Sequence, residues 1–138
     1  MAPPPVLSDR ALNRATLERQ WLLARRPLDS TGVVGAVEHL VGLQAQEPLD
    51  PYLALWSRLD GFDPADLGAL LEERSVVRIA VMRSTIHMMT ADDAGAIRPI
   101  VQPVLDAEVK AHPDARQVMD QPFDDALALG REGLHAGP

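Results

Sequence analysis

Two glutamines, Gln44 and Gln46, stand two residues apart in the run Gly42-Leu43-Gln44-Ala45-Gln46-Glu47-Pro48, which leads into Asp50-Pro51-Tyr52-Leu53-Ala54-Leu55-Trp56. A glutamine carboxamide is neutral at every pH a cell reaches. It can orient a water or another polar group, but it cannot take a proton as a base. Chemistry built on such a pair therefore requires a leaving group that is activated beforehand. On residue types alone the competing reading is a polar loop whose two side chains cap the ends of flanking helices. Glu47 reads as a solvated loop acid.

Other titratable groups give fewer leads. The four histidines, His39, His87, His112 and His135, are scattered and lack metal-ligand spacing. With no cysteine in 138 residues, disulfides and thiolate-metal sites are excluded, and a reducing compartment fits. Of the 13 basic residues all but Lys110 are Arg, whose planar fork suits phosphate oxygens. The net charge of -7 opposes this, because nucleic-acid binders are usually basic. The acidity is unevenly spread, with a net of -2 over residues 1–90 and -5 over residues 91–138.

The elements that must position the pair are mostly helical. Ser8 predicts an N-cap for a short helix over Asp9–Arg14, and Thr16 one for a second helical stretch reaching Ala24, stopped by Pro27. Asp29-Ser30-Thr31 starts the next helix, whose face is Val33, Val34, Val37, Leu40 and Val41, with Gly42 as its stop. The glutamine segment follows as a loop or short extended piece. Asp50-Pro51 opens a helix with body Tyr52–Leu59, and Asp63-Pro64 opens another over Ala65–Arg74. Val76–Met82 and Thr85–Met89 are β-branched-rich and read as a hairpin turning at Arg83-Ser84, without the Asn-Gly or Asp-Gly pair favoured there. Thr90 caps a further helix that Pro99 and Pro103 should kink or break before about Val109. A turn at His112-Pro113-Asp114 and a helix over Phe123–Gly133 complete the chain, and Asp124-Asp125 reads as a solvated pair. Trp21 and Trp56 fall on helical faces and read as core. No apolar run approaches the ~20 residues that span a bilayer, and the Met1-Ala2-Pro3-Pro4-Pro5 start is not a signal peptide. A soluble, cytoplasmic protein is expected.

Helices followed by a two-stranded hairpin is the element order of a winged helix, in which one helix enters the DNA major groove and the hairpin lies along the backbone or minor groove. Four stretches make the likeness specific: Leu12-Asn13-Arg14-Ala15-Thr16-Leu17, Gly42-Leu43-Gln44-Ala45-Gln46, Pro51-Tyr52-Leu53-Ala54-Leu55-Trp56-Ser57-Arg58-Leu59 and Met82-Arg83-Ser84-Thr85-Ile86-His87. Together the chain resembles the bacterial winged helix DNA-binding domain-containing proteins. That family includes DNA glycosylases that unhook interstrand crosslinks and give resistance to azinomycin-type alkylators. The likeness is strongest over residues 7–95. Ser84 stands where relatives often have glycine.

The resemblance implies an α+β, mainly helical fold: a leader at 1–6, a winged-helix DNA-binding domain at 7–95 with a β-hairpin wing, a helical connector at 96–118, and at 119–138 the truncated start of a second winged-helix domain. Relatives are longer, with tandem winged helices and a small β-barrel. The chain is thus expected to be a fragment, inactive alone, of a monofunctional DNA glycosylase. One branch of the family carries Gln, a hydrophobic residue, then Gln as its catalytic motif, and Gln44 and Gln46 match it around Ala45. Such a pair suits N-alkylated purines. Their positive charge already weakens the glycosidic bond, so amide oxygens need only position water and stabilise the oxocarbenium sugar. Arg78 and Arg83 flank the hairpin as phosphate contacts, and His87 is a candidate to touch DNA or the site. The expected partner is duplex DNA with alkylated purines, with no metal or organic cofactor. The alternative is a non-catalytic winged-helix regulator or protein-interaction module, which the acidic charge favours.

Overall fold

The structure is a computed structural model that describes residues 6–112. The chain divides between Ile100 and Val101 into two units. Among the described residues the fold is α+β and mainly helical. Residues 1–5 of the expected leader at 1–6, the expected start of a second domain at 119–138, the Phe123–Gly133 helix and the Asp124-Asp125 pair lie outside them.

Helix α1 spans Asp9–Arg19, capped by Ser8, whose Oγ accepts from the Ala11 N–H at 3.3 Å. It is one helix where two were expected. The Thr16 hydroxyl donates back to the Leu12 carbonyl at 3.0 Å and so supports the helix interior instead of capping a new start. It buries no residue. The contact that fixes its end is Trp21, at φ 55, stacked on the His39 ring with centroids 4.1 Å apart. His39 Nε2 donates to the Arg19 carbonyl at 2.8 Å.

A short strand β1 (Arg26–Pro27) precedes helix α2 (Leu28–His39). Gly32, at φ 69 and ψ 165, breaks the first turn of α2. The face that follows buries Val33, Ala36 and Val37. Strand β2 (Leu43–Gln44) leads to α3 (Asp50–Trp56), β3 (Leu59–Asp60) and α4 (Pro64–Glu72). As expected, α3 carries proline in its first turn, and the Asp63 carboxylate caps α4 by accepting from the Ala65 N–H at 2.8 Å.

The end of α3 departs from expectation. Leu59 is not its last residue but the start of β3, which pairs in parallel with β1. Leu59 is buried, and the Arg58 guanidinium crosses to the Gln20 carbonyl at 2.8 Å while also holding the Ala54 carbonyl at 2.8 Å. Partial burial pushes that guanidinium below its ordinary value by desolvation. Long-range bonds that local periodicity cannot register thus end the helix at Trp56.

Strands β4 (Val76–Ala80) and β5 (Ile86–Thr90) form the expected hairpin, turning through a single 3-10 turn at Met82–Ser84. Arg83 and Ser84 both sit at φ 53, and the Thr85 N–H donates to the Met82 carbonyl at 3.1 Å. Two left-handed central residues give the strand-matching twist of a primed hairpin turn without a glycine. The sheet gains β2 on the other side of β5, in the order β2-β5-β4, all antiparallel.

One face of this sheet, with Leu43, Val76 and Met88, joins Val33, Ala36 and Val37 of α2, Leu55 and Leu67 in the core. Helix α5 runs over Ala91–Ala111. The Thr90 hydroxyl caps it as expected, accepting from the Asp93 N–H at 3.1 Å. Pro99 and Pro103 do not break it. Each removes one backbone bond, and the remaining ladder of a 21-residue helix carries through both. Among the described residues no helix is long and apolar enough to cross a membrane.

Candidate functional site

The approach to the glutamine pair is a tight backbone reversal. Helix α2 ends at His39, Val41 takes φ 61, and Gly42 takes φ 139. A β-branched residue in the left-handed region is strained, and such outliers persist where surrounding structure holds them. Gly42 is required for a second reason. A Cβ there would lie 3.3 Å from the Met88 carbonyl oxygen and 3.3 Å from Met89 Cε. Only a residue with no side chain lets the turn run flush against β5.

Beyond that turn the chain alternates. Leu43 and Ala45 point into the core, and Ala45 is 0 % exposed, while Gln44 and Gln46 are exposed. Gln44 is in register with His87, which is in turn opposite Ile79 on β4. Opposed residues of an antiparallel pair share a sheet face, so Gln44 and His87 are cross-strand neighbours. His87 is 5 % exposed. Its Nδ1 lies 3.0 Å from the Thr85 carbonyl. That carbonyl can only accept, so Nδ1 carries a proton and in the neutral ring Nε2 presents a lone pair.

Gln46 is held differently. The Ala45 N–H continues the ladder by donating to the Ile86 carbonyl at 2.8 Å. The return bond of that pair is not made by the Ala45 carbonyl. The Ile86 N–H donates instead to Gln46 Oε1 at 3.3 Å. The carboxamide thus stands in for a backbone carbonyl where β2 ends. The carbonyls of Ala45 and Gln46 are taken up by Arg78, whose Nε donates to the first at 2.8 Å and Nη2 to the second at 3.1 Å.

The structure therefore gathers Gln44, Gln46, Arg78 and His87 around one end of the β2–β5 ladder. Arg83 stands apart, exposed at the hairpin tip. Trp56, expected in the core, is 56 % exposed, with the Arg25 guanidinium carbon 4.2 Å from its ring centroid. It shares an exposed face of α3 with Leu49 and Leu53, while Pro51 and Leu55 are buried. Both faces of that helix are apolar in sequence, so spacing alone could not say which one the core would take. The Arg78 clamp and the Ile86 amide were also missed. Their only sequence signal is that a strand edge must satisfy its ladder somewhere. Among the described residues no group of three or more His, Cys, Asp or Glu could hold a metal ion.

A family model described as DNA glycosylase AlkZ-like matches residues 37–138. No curated protein and no solved structure matches the chain. The family match covers well over half of the sequence and takes in the whole ladder corner from Gly42 to His87, and the chain therefore belongs to the AlkZ-like DNA glycosylase family.

Proposed function

We propose that this protein hydrolyses the N-glycosidic bond of N-alkylated purines in duplex DNA, crosslinked purines included, with Gln44 and Gln46 as the excising pair. The observation that carries this reading is the ladder corner, where an exposed Gln44 sits opposite His87 and Gln46 is oriented by the Ile86 N–H. In an N7-alkylated guanine the C1′–N9 bond breaks with its electron pair moving into the cationic base, which leaves neutral. The sugar becomes an oxocarbenium ion, water adds at C1′, and its proton passes to solvent. Gln44 Oε1 accepts a hydrogen bond from that water and aims its lone pair at C1′. The second lone pair of Gln46 Oε1 serves the same water. Neither glutamine gains or loses a proton, and the Gln46 carbonyl dipole, held in place by the Ile86 N–H, stabilises the developing sugar cation.

The DNA-binding frame is a winged helix over residues 7–95. The order α2–β2–α3–α4–β4–β5, with β2 beside β5 and β4 outside it, supports this reading. Arg83, exposed at the tip of the wing, supplies a phosphate contact, and His87, buried opposite Gln44, borders the excising pair. The helix that would enter the major groove in such a frame, α4, carries Asp66 and Glu72 and no basic residue. Groove insertion by α4 is therefore unfavourable, and the DNA is placed against the ladder corner and wing.

The test is release of N7-methylguanine from alkylated duplex DNA by the protein as its gene encodes it. A Gln44→Ala, Gln46→Ala double variant is expected to retain its fold and release none. Undiminished release by the folded double variant would remove both glutamines from the reaction.

A further inference from the structure

We infer that Arg78 is a positioning residue for the glutamine pair and not a phosphate ligand. The inference rests on the excision reading only in its catalytic arm. Nε and Nη2 lie on one edge of the guanidinium plane, and that edge meets two successive carbonyls, those of Ala45 and Gln46, at 2.8 and 3.1 Å. The partners are 33 and 32 positions away in sequence, so nothing local produces the contact. Among the described residues no carboxylate is seen in an ion pair with Arg78.

The clamp has a specific cause. Where Gln46 Oε1 takes the Ile86 N–H, the Ala45 carbonyl loses the ladder partner it would otherwise have had. Arg78 supplies the missing donor and reaches one carbonyl further. The two substitutions interlock. A backbone pinned at residues 45 and 46 lets the Gln46 side chain double back to β5, and that fold-back is what frees the carbonyl for Arg78. The same pinning fixes Gln44 one residue earlier, opposite His87. Lysine cannot reproduce it, since an ammonium is a point charge without the two parallel donors of a guanidinium edge.

The experiment uses Arg78→Met and Arg78→Lys in the protein as its gene encodes it. Three quantities are measured: amide hydrogen exchange at Ile86, the single-turnover rate constant for N7-methylguanine release at saturating protein, and the salt dependence of affinity for duplex DNA. In Arg78→Met we expect Ile86 exchange to rise and the single-turnover rate constant to fall, each by about tenfold or more. The salt slope should be unchanged. Arg78→Lys should fall between Met and Arg on the first two measures. Unchanged Ile86 exchange would overturn the inference. So would an intact rate constant with a salt slope shallower by about 0.9, the signature of one lost phosphate contact. Should Arg78→Met fail to fold, Ile86 exchange in Arg78→Lys decides the matter. Should the native protein release no base, exchange at Ile86 still tests the clamp, while the excision reading fails separately.

Discussion

Two segments of this protein make sharp reversals through left-handed residues, and they treat their polar groups in opposite ways. At Val41–Gln46 the reversal is followed by a run whose last groups are tied down. Gln46 Oε1 holds the Ile86 amide, and the carbonyls of Ala45 and Gln46 are held by Arg78. At Met82–Thr85 the reversal closes on its own turn bonds, leaves Arg83 exposed, and leaves the buried Ser84 hydroxyl with no partner. The first segment has the preorganisation a reacting centre needs, since fixed dipoles need no rearrangement during the reaction. The second has a charge free to follow a phosphate backbone. Within one three-stranded sheet the molecule separates fixed geometry from adaptable charge.

The comparison breaks first at the glutamines. Gln44→Ala should lower single-turnover excision by about 100-fold or more, with unfolding midpoints unchanged because the Gln44 side chain is exposed. Gln46→Ala should lose activity too, and in addition about 1 kcal/mol of stability, because the Ile86 N–H loses its acceptor. Equal denaturant midpoints for the two variants would show that the Gln46 bond contributes nothing.

Gly42→Ala tests the reversal itself. The left-handed φ and the 3.3 Å approach to the Met88 carbonyl act together, and we expect a loss of about 2 kcal/mol in equilibrium unfolding. A neutral result would mean that the turn relaxes freely and does not fix the pair. At the other reversal the sign inverts. Ser84→Gly should stabilise by about 1 kcal/mol, since glycine accepts φ 53 without a Cβ penalty and removes the unpartnered hydroxyl. The smallest effect is expected at the tip. Arg83→Gln should leave the single-turnover rate constant intact and flatten the salt dependence of DNA affinity by about 0.9, as one phosphate contact is lost. A collapse of the rate constant in Arg83→Gln would erase the division of labour between the two reversals.

Much of this architecture could be read from residues alone, because its signals are local. Ser8, Asp63 and Thr90 cap helices as their types dictate. β-branched density marked β4 and β5, and Gly42 marked the turn into the glutamine run. The departures have two causes. Thr16 bonded backward to Leu12 within its own helix, one local use of a hydroxyl winning over another. Helix α3 stopped early for a strand pairing with Arg26–Pro27, and Trp56 turned outward. In these two a distant partner, or its absence, outweighed a local preference.

The candidate site divides along the same line. Sequence determined the identity of the pair, the apolar spacer that must turn inward when its neighbours turn outward, and the neutrality that limits the pair to a leaving group already activated. Only the fold decided that Gln44 faces His87, that Gln46 completes a ladder, and that Arg78 grips the backbone between them. The reason is physical. Side-chain chemistry and strand alternation are properties of a few consecutive residues, whereas register across strands is set by which face the core buries and by which backbone groups are left needing a partner.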